Sequence, residues 1–322
     1  MSQIPSGFRT RITNQRRNLV ENPGAACLRW GGLPLNESCL AKPILCLLVL
    51  TVSLSCGPGC SPTRMFQNPF RPPVPCVLSP DPSLTEVVNH INDNIGLIHG
   101  WRSTDVSIQA AQGGGMSVRL SAVIAVEQTR RFRLSARSPF GNEADFGSND
   151  ERFWFFMKRL DAHHVYTVAH NEMHMVQDRL QIPFEPDWLM EVLGVIPIIG
   201  AEFELHPDLT DSGVLSLVSE RVSPNGEPVR RVILVDKCRG HVVAHSLYDA
   251  SNQLIAKAEL SRYEPDSTSG AMLPHRIGLE WPQAGLKMTM NLGGIEVNPV
   301  AVSEQTWQPF RTPTIQHVDL AR

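Results

Sequence analysis

From Leu84 to Ile98 apolar residues return at helical spacing: Leu84, Val87, Val88, Ile91, Ile95 and Ile98, with Asn89, Asn92, Asp93 and Asn94 on the other side. Ser83 precedes them and Glu86 follows three residues on, the arrangement of a capping box, and Gly100 is expected to stop the helix. Beyond it the period changes to two. Met116, Val118, Leu120, Ala122, Ile124 and Val126 alternate with a mostly polar set, and Phe132, Leu134 and Ala136 alternate with Arg131, Arg133 and Ser135. Gly147-Ser148-Asn149-Asp150 reads as a turn, and Phe153 to Met157 as a strand apolar on both faces. Val165 to Ala169 reads as another strand. A short helix is predicted over Trp188 to Leu193, capped by Asp187 and ended by Gly194. Strands resume around Phe203, at Val214–Val218 and at Val229–Val235, with Pro224-Asn225-Gly226 as a hairpin turn. Val242–Tyr248 and Leu254–Tyr263 form a second hairpin through Asp249 to Asn252, and strands through Trp281 and Met290 follow. About ten or eleven strands with two helices and no strand–helix alternation predict a mainly β, α+β chain with an antiparallel sheet. So large a sheet must curl, close or split into a sandwich.

Upstream, Ile44 to Ser55 is an apolar run of about a dozen residues, the length of a signal-peptide core and short of the roughly 20 that span a bilayer. It follows Lys42-Pro43 and ends at Cys56-Gly57-Pro58-Gly59-Cys60. This resembles a bacterial lipoprotein signal with Cys56 as the acyl-accepting residue and Cys60 as the alternative. The other reading is an uncleaved buried segment. The division expected is a leader and signal over 1–55, a Pro/Gly-rich tether over 56–82, the folded domain over 83–311 and a tail over 312–322. Residues 1–41, with five arginines among Pro, Gly, Ser and Asn, show no apolar period.

Charge argues against nucleic acid as a partner. The chain has 29 basic and 32 acidic residues; residues 1–56 hold six and two of them, which leaves 23 against 30, a charge of −7, beyond Cys56. No Lys/Arg stripe interleaves with aromatics. Five of the seven cysteines lie at or before Cys60, which excludes a disulfide framework and a Cys-x-x-Cys zinc pattern. Cys76, in the tether, and Cys238, placed in a strand, can pair after export, but a buried free Cys238 is the favoured expectation.

The densest set of possible ligands is His163, His164, His170, Glu172 and His174. His170 and His174 on an α-helix would share a face, as a zinc site needs. The His-Glu-x-x-His order of zinc proteases is absent, and loop histidines are the favoured reading over a metal-dependent enzyme. His241 and His245 fall on a strand without a third ligand. Gly113-Gly114-Gly115 lacks the Lys-Ser/Thr of a phosphate loop, and Gly147-Ser148-Asn149 lacks the Gly-x-Ser-x-Gly of a nucleophile turn. Neither a catalytic residue nor a cofactor nor a metal is expected.

Several strings occur in an order similar to that of the lipoprotein-carrier family of the bacterial envelope, the LolA/LolB-like carrier and receptor of lipoprotein sorting. They are the leading amphipathic helix, Arg130-Arg131-Phe132-Arg133, Asn149-Asp150-Glu151 before Phe153-Trp154, and Val165-Tyr166. Leu273-Pro274-His275-Arg276-Ile277, Glu280-Trp281-Pro282 and Val297-Asn298-Pro299 complete the set. The resemblance covers about 84–311 and leaves Pro183 to Gly200 as an insert. It implies a strongly curved, incompletely closed antiparallel half-barrel with helices over its mouth. It also implies an apolar cavity lined by Met116, Val118, Leu120, Phe132, Leu134, Trp154, Phe156 and Trp281. The ligand implied is an acyl chain or a lipoprotein's acyl chains, the anchor a lipid in the outer membrane facing the periplasm, and the state a monomer. Phe140, in the loop Ser138 to Ala144, would touch the membrane; the other reading, slightly favoured, folds it back onto the core. The rival reading is a structural or protein-docking lipoprotein whose cavity is filled by its own side chains.

Overall fold

The computed structural model describes residues 75–115, 117–176, 186–207, 213–223, 226–300 and 302–322. The apolar period of the first helix, α1 (Leu84–Gly96), buries Val87, Val88, Ile91 and Ile95 against the sheet. Ser83 caps it by accepting from the Glu86 N–H at 3.2 Å. The expected capping box is only half formed. The Glu86 carboxylate turns away to accept from the Ser79 N–H at 2.7 Å and hydroxyl at 2.8 Å, and the Ser79 N–H holds its pKa below the usual range. The helix ends at Gly96, and Gly100 serves another purpose. A Cβ there would lie 2.7 Å from the Val126 carbonyl oxygen of the neighbouring strand.

Among the described residues fifteen strands form one sheet. In chain order they are β1 (Gly100–Gln112), β2 (Val118–Glu127), β3 (Arg131–Ser138), β4 (Gly141–Ser148) and β5 (Arg152–Met157). Next come β6 (His164–Ala169), β7 (Glu204–Pro207), β8 (Val214–Val222), β9 (Pro228–Asp236) and β10 (Val242–Tyr248). The remainder are β11 (Leu254–Pro265), β12 (Met272–Trp281), β13 (Leu286–Leu292), β14 (Glu296–Val297) and β15 (Gln316–Asp319). Two meanders, β1 to β6 and β7 to β13, meet where β1 pairs with β13. The sheet is curved and unclosed, its path ending at β7 and β15. Every pairing is antiparallel except that of β15 with β6, which is parallel. The stretch expected as a tail, 312–322, holds this edge strand, β15.

Within the expected turn around Gly147, β4 continues to Ser148 and pairs Gly147 with Trp154. The Trp154 ring lies over Gly147, where any side chain would run into it. The inserted helix α2 spans Pro186–Val192. Asp187 sits within its first turn and accepts from Arg130 at 3.0 and 3.2 Å.

Cys76 and Cys238 form a disulfide, against the expected free Cys238. Cys238 lies in the β9–β10 turn rather than in a strand, and the Val77 N–H donates to its carbonyl at 2.8 Å. The chain from Pro75 is thus strapped to the domain, with Leu78 buried, where a loose tether was expected.

Candidate functional site: an apolar trough in the curved sheet

The alternation along β1, β2, β3, β12 and β13 sends one side-chain set inward, where it leaves a trough of about 500 Å³. Its floor holds Ile108 and Ala110 of β1, Val118 and Leu120 of β2, and Phe132 and Leu134 of β3. Trp281, Met288 and Met290 close one wall, and Ala144 and Phe146 of β4 the other. Leu189 and Leu193, from α2 and the turn after it, roof it in part. Polar groups gather at one end, where Glu143 and Arg159 stand among the lining residues. Glu143 accepts from Ser138 at 2.7 Å and faces Lys158 at 3.5 Å, and the Ser138 hydroxyl holds its pKa low. Small side chains make the room. Ala110, Ala136 and Ala144 line the space where larger residues would fill it.

Of the residues expected to line a cavity, Val118, Leu120, Phe132, Leu134 and Trp281 border this trough. Met116 lies outside the described residues. Trp154 and Phe156 are on the other face of β5, and the expectation for them is corrected. They form a separate apolar cluster with Val165, covered by Phe310 and Ile315, with Phe156 edge-on to Phe310 at 5.1 Å. Trp154 also donates its indole N–H to Asp145 at 2.9 Å. That carboxylate, fully buried, meets Arg133 at 3.0 and 3.1 Å; burial pushes its pKa up while Arg133 opposes the rise. Met157, one residue on, returns to the trough.

Phe140 stands at the tip of the β3–β4 hairpin, 86% exposed. Gly141 after it has φ +111°, and Lys158 donates to the Phe140 carbonyl at 3.3 Å. That contact puts the β5–β6 turn, with exposed Leu160, beside the hairpin tip.

The histidine cluster separates into two local networks. His164 meets Asp161 at 2.8 Å, and Tyr166 and the His163 N–H donate to the same carboxylate at 2.8 Å each. The His163 N–H is the main reason the Asp161 carboxyl is held down at about 2. His170 instead contacts the Asn149 carbonyl at 2.7 Å and the Ser148 hydroxyl at 3.2 Å. His170–Met175 is a 3₁₀ helix, in which i and i+4 do not stack. Among the described residues no three His, Cys, Asp or Glu side chains converge as metal ligands.

The strings that carried the family resemblance hold the architecture together. Arg131 binds Asp150 at 2.7 Å and Glu304 at 3.2 Å, and the Asp150 hydrogen bond raises its pKa. Asn149 accepts from the Glu151 and Arg152 N–H groups and donates to the Trp307 carbonyl at 3.0 Å. Asn298, at φ +50°, accepts from the His99 N–H at 2.7 Å and donates to the Leu97 carbonyl at 2.8 Å.

Missed by sequence reasoning were the contributions of β1 and β4, since neither was recognised as a strand, and the roofing leucines. The alternation of Leu286, Met288 and Met290 was the available signal for the wall. No protein-family model and no curated protein matches the chain. Among solved structures it is similar to a DUF1329 family protein from Desulfovibrio piger, at 15% identity and a TM-score of 0.46 over 70% of this chain and 95% of that one. It is also similar to an outer membrane lipoprotein-sorting protein domain from Vibrio parahaemolyticus, at 10% identity and TM-score 0.47 over 70% and 97%. A third similar structure is a LolA superfamily protein from Nitrosomonas europaea, at 12% identity and TM-score 0.44 over 69% and 97% of the two chains.

Proposed function

We propose that the chain is a cell-envelope lipoprotein that holds an acyl chain or a comparable apolar ligand in the trough, without chemistry. The observation that carries this reading is the trough itself. A void of about 500 Å³ walled by Leu, Phe, Met, Trp and Ala falls in the range of ligand pockets and is too large to leave as packing error. A self-filled scaffold would have closed it with side chains at Ala110, Ala136 and Ala144. Binding then rests on buried apolar area, at about 25 cal/mol per Å².

Two further features support an exported, membrane-associated protein. The Cys76–Cys238 bond suits an oxidising compartment. Exposed Phe140 and Leu160, beside Lys158, form an apolar rim near the Glu143–Arg159 end of the trough. On this reading the rim rests in the membrane surface, and Cys56, which lies outside the described residues, carries the anchor. Acyl chains would pass between bilayer and trough at that end. Among the described residues no helix is long and apolar enough to cross a membrane.

The test is uptake by the delipidated domain, residues 73–322. A fluorescent fatty-acid probe should bind saturably, be displaced by unlabelled fatty acid and quench or blue-shift the emission of Trp281. Trp154, sealed behind Phe310, should not respond. No saturable uptake sinks the reading.

A further inference from the structure

A second chamber, of about 570 Å³, lies beneath α1 on the far side of the inserted helix. Ile91 and Ile95 of α1 form its roof, Leu260 and Leu273 its floor, and Val192 and Ile198 the side toward the insert. Three of the polar side chains around it are engaged with other protein groups. Asn94 spends both amide atoms on the Met272 backbone, at 2.7 and 3.0 Å. Tyr263 donates to the Val242 carbonyl at 2.7 Å, and its ring stacks on His241 at 4.4 Å. Glu191 is paired with Arg231, which also reaches Glu202 at 3.5 Å.

Of the three histidines that line it, His90, His241 and His245, only the last is buried. It is 97% buried, since only 3% of its surface is exposed, and its ring lines the chamber. Among the described residues no hydrogen bond reaches either ring nitrogen, and neither is one of the fully sealed unpaired atoms, so the ring stays open to the chamber. A polar group set in a mostly apolar wall with no protein partner costs stability, and a leucine at this place would pack without that cost. Burial and neighbouring Arg231 pull the His245 pKa down to about 3, so the imidazole is neutral at ordinary pH. A neutral imidazole offers one donor and one acceptor, whichever tautomer is present.

We propose that this chamber is a second ligand site, which takes an uncharged apolar molecule bearing a hydroxyl or ester group hydrogen-bonded to His245. The charges beside His245 favour an uncharged ligand over an ion. The one cation near His245 is Arg231, already matched by Glu191 and Glu202, and the rim offers both signs in Asp93 and Arg239. A carboxylate head placed against His245 would find the neighbouring cation, Arg231, already engaged, whereas a hydroxyl satisfies either nitrogen of the ring. The site is separate from the trough and does not depend on the trough's being occupied.

The experiment is native mass spectrometry of the full chain released from non-ionic detergent, with monolauroylglycerol and laurate as probes. It is run in an Ala136→Trp background, which fills the trough and leaves the chamber alone. Monolauroylglycerol should form a one-to-one adduct there, at least tenfold tighter than laurate. His245→Leu should weaken it tenfold or more without lowering Tm, and His245→Gln should recover part of the loss. Should His245→Leu not fold, Leu260→Trp, which fills the chamber from β11, gives the same readout. No adduct in the Ala136→Trp background, equal binding of laurate, or an adduct indifferent to both chamber variants overturns the proposal. Failure of the trough reading would show separately, as identical fatty-acid binding by wild type and Ala136→Trp.

Discussion

Ala136 is the sharpest place to challenge the trough. It is 3% exposed, lies on β3 opposite Ala144, and lines the void. Ala136→Trp places an indole in space that the ligand would use. An indole buries about 150 Å² or more, and a methylene corresponds to roughly 30 Å², so about five methylenes of a bound chain are displaced. At about 0.8 kcal/mol each that is ~4 kcal/mol, close to a thousandfold in Kd. A flexible chain recovers part of this by sliding along the trough, so a loss of about 10²–10³-fold is expected. Overpacking a filled core costs about 1–3 kcal/mol, but here the ring enters a void, and Tm should hold within a few degrees. The assay is displacement of the fluorescent fatty-acid probe from residues 73–322. Val123→Trp is the control, since Val123 is 41% exposed on the opposite face of neighbouring β2. Wild-type affinity in a folded Ala136→Trp domain would refute the assignment of the trough as the binding site.

Phe140→Glu in the domain lacking Cys56 should weaken liposome binding roughly tenfold or more, since full insertion of a Phe is worth about 1.5–3 kcal/mol. With Phe140 86% exposed its Tm should stay within a few degrees, and unchanged liposome binding would end the membrane-rim proposal. Replacing Cys76 and Cys238 together by Ser opens a crosslink spanning 162 residues of sequence and should lower urea stability by about 2–5 kcal/mol; an unchanged midpoint would mean the bond does not form. His245, with its pKa pulled from 6.5 to about 3, makes the domain acid-sensitive, because below pH 6.5 the unfolded chain binds a proton that the native one refuses. Stability is therefore lost as pH falls from 6.5 toward 3, at about 1.4 kcal/mol per pH unit. His245→Leu should gain about 2 kcal/mol over wild type on going from pH 7.5 to 5, and parallel pH profiles would contradict a buried neutral imidazole.

The strands most legible in the sequence were those with an unbroken phase. β2, β3 and β13 alternate cleanly because one face is buried and the other wet, and α1 shows its buried stripe for the same reason. β1 hid because its register shifts between Ser103 and Val106, which breaks the period of two halfway along. β4 hid because Gly-Asn-Glu-Ala-Asp-Phe-Gly-Ser offers small and polar residues where apolar ones carry the signal; its buried polar member, Asp145, is matched by Arg133 and Trp154 only in three dimensions. The assignment of Trp154 and Phe156 to the cavity failed for a related reason. A strand apolar on both faces gives no phase, and the segment that covers its outer face, around Phe310 and Ile315, has no periodicity of its own. The disulfide escaped because the Pro-rich run reads as tether until Val77 is seen paired to Cys238.

The distribution of labour between motif and cavity explains why the sequence spoke more clearly of fold than of ligand. The recognisable strings end at turns and ion pairs: Asn149 and Asn298 bind backbone, and Arg131 and Arg133 bind carboxylates. Each needs a particular side chain at a particular place, so each leaves a readable pattern. The trough needs only that inward positions be apolar and that a few of them be small. Such a requirement is met by many sequences and marks none of them. The segment carrying α2 presents Leu189 and Leu193 to the trough while Glu191 and Val192 face the chamber. Residues of this short helix and the turn after it thus border two voids of different character, one mostly apolar and one with histidines in its lining. Lengthening or removing that helix would be expected to merge the two into one space. That segment, rather than any residue of the sheet, therefore decides whether the trough and the chamber are two voids or one.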